Sequence, residues 1–231
     1  MTAITGQAAS SGHITLLFSV QDSDVKLINQ GSRGIGLCID PAEPTCKIIA
    51  TGEPGKGKIS EPTTNSNLSL QQTVIDTLSR FVPSVLEYNW QINQSCELPQ
   101  QQGFGLSAAG SLATALALQR ALGVDEKLAN PQSFHVAHLV ERKLSGGLGD
   151  VAALWAEGVD LRREPGCPQV SEKLGGSGVV EGWHTSLKFL VAWRDRTTRH
   201  TSSYIDNEEW KTRIRNSGEQ QLTILKQGFW D

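Results

Sequence analysis

Apolar positions along this chain recur with two periods, and the two periods separate strands from helices. Residues 13–20 (His-Ile-Thr-Leu-Leu-Phe-Ser-Val) are rich in strand formers and follow the small-residue turn Ser10-Ser11-Gly12. The block Gly31-Ser32-Arg33-Gly34-Ile35-Gly36 leads into a predicted strand over 37–40, and another strand is predicted over 46–50. Residues 51–67, dominated by Gly, Pro, Lys, Ser, Thr and Asn, read as a long exposed loop. Over 68–81, Leu70, Val74, Ile75 and Leu78 share one face of an amphipathic helix. Residues 88–93 alternate apolar and polar, the mark of a half-buried strand.

The stretch from 98 to 123 organises the rest. Pro99 and three glutamines end the preceding segment, and Gly103 and Gly105 open a loop. A helix follows, built almost wholly from leucine and small residues, with Leu112 and Leu116 one turn apart, as are Ala113, Ala117 and Ala121; Gly123 stands at its C-cap. A glycine loop ending on such a helix lets an anion approach backbone N–H groups and the positive end of the helix dipole. Next, Asn130-Pro131 predicts an N-cap and first-turn proline, and Val136, Val140 and Leu144 repeat until Ser145-Gly146-Gly147. A short helix is predicted over 151–155, a proline-broken connection over 162–170, a turn at 175–178 and an apolar strand over 187–193. Asp206 and Glu209 form a capping box for a helix over 206–215, and 222–231 begin a further element. Strands and helices in this mixed order predict an α+β protein.

Composition narrows the function classes. At 231 residues the chain is long enough for a substantial core, and 38% hydrophobic with 19% charged residues is ordinary for a globular protein. A net charge of −3 without a basic stripe excludes a dedicated nucleic-acid binder. Cys38, Cys46, Cys96 and Cys167 lie far apart without metal-ligand spacing, so free thiols in a reducing compartment are expected. The first ten residues lack the regions of a signal peptide, and no window reaches the ~18 apolar residues of a membrane helix. A cytoplasmic protein without a membrane partner is the expectation.

Two nucleotide motifs are imitated. Gly52-Glu53-Pro54-Gly55-Lys56-Gly57-Lys58 fits much of a P-loop, but Ile59 stands where Ser or Thr must reach Mg²⁺, and Ser60-Glu61-Pro62 cannot start the required helix. Gly103-Phe104-Gly105-Leu106-Ser107-Ala108 fits a dinucleotide pattern. That pattern needs a strand running into its first glycine and another ending at Asp125, and neither flank provides one.

Pro99 through Ala109, with Gly-Phe-Gly-Leu-Ser-Ala-Ala inside it, resembles the glycine-serine motif of the GHMP kinases, with Leu106 in place of the first serine and Ser107 matching the second. Gly12-His13-Ile14 resembles the superfamily's opening Gly-Lys strand, His13 taking the lysine position, and Ser145-Gly146-Gly147-Leu148-Gly149-Asp150 resembles its acidic segment. The early Gly-His-Ile-Thr, the glycine block around Arg33, and Gly-Gly-Leu-Gly-Asp-Val followed by Arg-x-Glu-Pro-Gly together resemble the archaeal pantoate kinases, over roughly residues 10–215.

The resemblance implies a two-domain GHMP-kinase-like α+β fold. Residues 1–180 would form an ATP-binding domain like domain 2 of ribosomal protein S5, containing a left-handed βαβ unit; 181–231 would begin a ferredoxin-like domain left incomplete. It implies ATP-dependent phosphorylation of the terminal hydroxyl of pantoate on the route to coenzyme A, with Mg²⁺. Gly103, Gly105, Ser107, Ala108, Ala109, Gly110 and Ser111 would hold ATP, with the Ser107 hydroxyl near Mg²⁺. Asp150 would accept the proton of the attacking hydroxyl, against the plainer reading of a helix N-cap. Arg33 and Ser32 would meet pantoate, Arg33 through its carboxylate, and His13 would touch substrate or phosphate or else face the core. His135 and His138 read as structural. No third glycine-rich motif is found, which keeps open a shortened relative that dimerises, a kinase for another alcohol such as mevalonate or homoserine, and a nucleotide-binding relative without turnover.

Overall fold

The computed structural model describes residues 2–40, 42–60, 67–169, 174–186, 188–193 and 202–228. Among them the strands are β1 (Ile4–Ser10), β2 (His13–Gln21), β3 (Gly31–Cys38), β4 (Cys46–Pro54), β5 (Tyr88–Cys96), β6 (Val159–Glu164) and β7 (Val179–Trp183). The helices are α1 (Leu68–Leu78), α2 (Leu106–Ala121), α3 (Glu126–Lys143), α4 (Asp150–Ala156), α5 (Ser202–Ile205) and α6 (Glu208–Gly228). They form the α+β arrangement expected, in two antiparallel sheets ordered β1-β4-β5 and β2-β3-β6-β7.

The first sheet carries the main core. Period-2 alternation buries Cys46, Ile48 and Ala50 of β4 while Lys47 and Ile49 point out. Opposite them, α2 is buried nearly all round because its residues are small; a Cβ on Gly6 of β1 would lie 2.2 Å from the Ala117 carbonyl. Trp90 is fully buried in this core, its indole N–H donating to the Val85 carbonyl at 2.8 Å. Burial of one such large side chain contributes about 1.5–3 kcal/mol. The β4–α1–β5 connection joins antiparallel neighbours; the parallel relation expected of a βαβ unit is reduced to one bridge between Ile59 and Trp90.

Several elements differ from the sequence reading. The glycine block 31–36 is itself most of β3, not a lead-in, because glycines let large side chains of neighbouring elements pack against it. β4 runs on to Pro54, so Gly52-Glu53-Pro54 of the P-loop imitation are strand. Asp125, not Asn130, caps α3, accepting from the Lys127 N–H at 2.9 Å, and Pro131 lies inside the helix. Arg162–Glu164, expected as the start of a proline-broken connection, are the end of strand β6 (Val159–Glu164). Residues 188–193 carry no regular structure, and Leu187 lies outside the described residues. The Asp206 capping box is replaced by Asn207, whose side chain accepts from the Trp210 N–H at 3.0 Å. α6 then runs unbroken through the polar stretch at Asn216-Ser217-Gly218, where Gly218 lies against the backbone of Phe18 in β2. The division drawn at residue 180 falls within β7, which pairs with β6.

Candidate active site

Gly105 is the N-cap of α2 with φ +61°, a left-handed conformation that glycine adopts without a Cβ penalty. The loop before it is anchored by the His13 N–H, which donates to the Phe104 carbonyl at 3.0 Å. Helix geometry leaves the N–H groups of Leu106, Ser107 and Ala108 directed out of the N-terminus, whereas the Ala109 N–H already donates to Gly105 at 3.1 Å. Ser107 is exposed at this end, and Ala108, Ala109, Gly110 and Ser111 are buried. The set of N–H groups left free by the helix is therefore shorter than the set expected to hold ATP. Ala109, Gly110 and Ser111 face the core, because by the second turn the N–H groups are consumed by the helix and small side chains fill its packing contacts.

Facing this N-terminus across a cleft of about 620 Å³ stand two carboxylates. Glu141 of α3 is fully buried; it accepts from the Ser107 hydroxyl and, at 2.6 Å, from the Gly147 N–H. Burial pushes its carboxyl up to about 7, opposed by the Ser107 bond and reinforced by the negative charge of Asp150. Asp150 opens α4, but Gly149 holds the N-cap position, so the capping role is not what Asp150 performs. Its Oδ1 instead accepts from His13 Nδ1 at 2.6 Å. Burial opposes its charge, but the His13 bond and charge, Arg162 and a Thr15 hydrogen bond hold its carboxyl below the ordinary range.

Behind Asp150 the chain of charges continues inward. His13 Nε2 lies 2.8 Å from Asp160 Oδ1, and Asp160 Oδ2 pairs with Arg162 Nη1, all three fully or almost fully buried. His13 therefore does not reach the cleft as a substrate contact; both ring nitrogens are occupied by carboxylates. Arg162 Nε is buried without a hydrogen-bond partner among the described residues, and it and the Ser32 hydroxyl border the space that a Cβ on Gly149 would enter, at 2.5 and 2.4 Å. Ser32 lines the cleft as expected, together with Thr15, Gly103, Gly105, Ser107 and Asp150. Tyr204, Ile205, Trp210 and Ile214 supply an apolar wall.

Arg33 is not brought to this cleft. Strand alternation sends Ser32 to one face of β3 and Arg33 to the other, where its guanidinium pairs with Glu219 of α6 at 2.6 Å and donates to the Arg163 carbonyl at 2.9 Å. Arg33→Ala is expected to leave the KM for an acidic substrate within twofold of the parent while costing at most about 1 kcal/mol of stability. Steady-state kinetics with the acid varied, alongside a denaturant melt, checks both. His138 is structural as read, its Nε2 against the Leu27 carbonyl at 3.3 Å.

Four residues at the site went unnoticed in the sequence. Glu141 was legible: it falls on the helical line of Phe134 and Ala137, a charge on an apolar face. Thr15 shares the strand face of His13. Asp160 and Arg162 alternate with Val159 and Leu161, a pattern that points the charges to solvent, and only a helix covering that face buries them.

Ser107 and Glu141 present hard oxygen donors beside a helix N-terminus, and the Glu141 carboxyl is buried against the Ser107 hydroxyl. That donor set fits a magnesium ion, which takes one or two carboxylates and leaves its other positions to phosphate and water.

Residues 72–158 match the family described as GHMP kinases N terminal domain. The chain is similar to the pantoate kinase of Methanocaldococcus jannaschii, at 29% identity over 93% of this chain and 71% of that protein. It is also similar to the pantoate kinase of Thermococcus kodakarensis, at 32% identity over 68% of this chain and 51% of that protein. The chain thus spans between about half and seven-tenths of the length of these two relatives. A solved structure described as a phosphotransferase related to the CoA biosynthesis pathway superposes with TM-score 0.67 at 24% identity, over 98% of this chain and 70% of that one. With the glycine loop heading α2 and the Asp150 segment following α3 in the expected order, this chain has a GHMP-kinase-like α+β fold, and its residues 72–158 match the GHMP kinase N-terminal domain model.

Proposed function

We propose that this chain carries the active site of an ATP-dependent kinase that phosphorylates the terminal hydroxyl of pantoate to 4-phosphopantoate, a step toward coenzyme A. The observation that carries the reading is the convergence of Ser107 at the N-terminus of α2 with Glu141 and Asp150 in one cleft. ATP phosphates meet the N–H groups of Leu106, Ser107 and Ala108, where backbone dipoles favour negative charge. Mg²⁺ held by Ser107 and Glu141 would supply charge neutralisation at those phosphates. Asp150, ionised and with Oδ1 tied to His13, takes the proton of the attacking hydroxyl while that oxygen bonds to the γ-phosphorus and the bond to ADP breaks. Ser32, which lines the cleft, offers a donor suited to the carboxylate of an acidic substrate. Similarity to two pantoate kinases supports pantoate over other acids. The free thiols suit a reducing, cytoplasmic setting.

The test is ATP consumption with Mg²⁺ across pantoate, mevalonate, homoserine and pantothenate. Turnover with pantoate is expected. Turnover of another alcohol in its place retires pantoate as the acceptor, and ATP binding without turnover of any of the four retires the kinase.

A further inference from the structure

His13 is the one residue in the site whose two polar atoms both face anions. Nδ1 lies 2.6 Å from Asp150 Oδ1 and Nε2 lies 2.8 Å from Asp160 Oδ1. The ring is fully buried. A neutral imidazole has one N–H, so one of these contacts would set a nitrogen lone pair against a carboxylate oxygen in a site shielded from water. An imidazolium donates to both. Read this way, charges alternate inward from the cleft as Asp150⁻, His13⁺, Asp160⁻ and Arg162⁺, and the buried row sums to zero. A neutral row in which each charge is paired with an opposite one is the condition under which buried charges persist.

The backbone is shaped to admit this row. Gly36 of β3 lies across from Asp160 in the β3–β6 register, and a Cβ there would stand 2.0 Å from His13 Nε2 and 2.8 Å from Asp160 Oδ1. Any larger residue at 36 would therefore occupy the space of the His13–Asp160 contact.

We propose that Asp160 is a positioning residue for the reaction: acting through a protonated His13, it fixes the direction of the Asp150 carboxylate and keeps it ionised for proton transfer. The proposal rests on the kinase reading of the cleft. Asp160 itself touches no substrate, being fully buried behind His13. Burial alone would lower the His13 pKa; the hydrogen bonds and charges of Asp150 and Asp160 outweigh it, and the pKa stands above its ordinary value. Besides Arg162 on β6, which belongs to the row, the titratable groups around it among the described residues are Cys38 on β3, whose thiol burial pushes up to about 12, Glu141 on α3 and Glu157 after α4. Of all these groups, Arg162 alone carries a fixed positive charge, and it is already committed to Asp160.

Two measurements decide the matter. Nitrogen-15 NMR of ring-labelled His13 in the unaltered protein at pH 8 is expected to show both ring nitrogens protonated, well above the pH at which an ordinary histidine is neutral. One protonated nitrogen at that pH overturns the proposal. In Asp160→Asn, an amide replaces the anion, one ring proton is lost, and Asp150 loses its neighbouring positive charge. The expected result is a kcat lower by about ten- to hundredfold, an acid limb of the kcat–pH profile displaced upward by about one unit, and a KM for ATP within twofold. A simple loss of stability would lower the yield of active enzyme without displacing the acid limb, and an acid limb that stays in place overturns the proposal. Should Asp160→Asn fail to fold, the NMR result stands alone, because it needs no variant. It also needs no substrate: if no alcohol on the panel is phosphorylated, the kinase reading fails while the state of His13 is still determined.

Discussion

Asp150→Asn is expected to lower turnover by about 10²–10⁴-fold while ATP binding is retained, the range that removal of a positioned general base produces. The substitution separates two roles that the sequence alone leaves entangled. Asparagine caps helices almost as well as aspartate, so a capping residue would tolerate the change. Here the N-cap position belongs to Gly149, and the Asp150 side chain points to His13. An asparagine Oδ1 can still accept from His13 Nδ1, so the local geometry persists; what disappears is the charge that receives a proton. The buried row then carries an excess positive charge, with an expected cost of about 1–3 kcal/mol. Steady-state kcat, a nucleotide-binding titration and a thermal melt measure the three consequences together. Turnover within tenfold of the parent would exclude Asp150 as the proton acceptor.

In metal-free buffer, stability is expected to fall by about 3 kcal/mol between pH 4.5 and 7 on account of Glu141 alone, and Glu141→Gln is expected to abolish that fall. Burial raises this carboxyl from its ordinary 4.5 to about 7 in the folded protein, so the folded state holds a proton that the unfolded chain releases. Its contribution is full below about pH 4.5 and is lost as the pH rises through 7. Asp150 acts with the opposite sign, but its carboxyl is held below the ordinary range, so its loss of stability lies at pH values under 4 and outside this window. His13, raised above its ordinary 6.5, adds a decline of its own at higher pH. The difference between parent and Glu141→Gln in denaturant midpoints across pH 4.5–8 isolates the Glu141 term. Glutamine can accept from the Gly147 N–H and donate to the Ser107 hydroxyl, so it preserves the shape of the site. The same variant removes the buried negative charge that a magnesium ion would meet, and its turnover should fall with it. A pH dependence identical in the two proteins would show that Glu141 titrates normally.

The sequence carried the elements whose cause is local. Alternation marked β5, the apolar stripe marked α1, and the glycine loop with its small-residue helix marked the head of α2, because each pattern follows from the period of its own backbone. Asp150 was legible through the resemblance of residues 145–150 to the acidic segment of the GHMP kinases, since its local pattern alone reads as a helix N-cap. Glu141 is equally visible as a charge on an apolar helical face, beside the line of Val136, Val140 and Leu144.

Other features lie beyond any local pattern. Whether Arg33 or Ser32 faces the cleft depends on which face of β3 is covered by α4 and the glycine loop, and strand period alone leaves that choice open. Asp160 and Arg162 are buried on the face of β6 against which α4 packs. The continuity of α6 depends on its bed along β2, where Gly218 suits the close approach and the helix is stabilised by packing rather than by propensity. The histidine between two carboxylates joins residues 137 and 147 positions apart, and no spacing in a linear chain encodes such a contact. By itself the sequence determined the loop and helix spanning 98–123 and the acidic segment that follows, because both arise from backbone geometry and short-range packing. Only the tertiary structure decided which part of that helix lines the cleft, and that the Asp150 carboxylate is backed by a buried row of charges, because burial and charge pairing are properties of what the fold brings together.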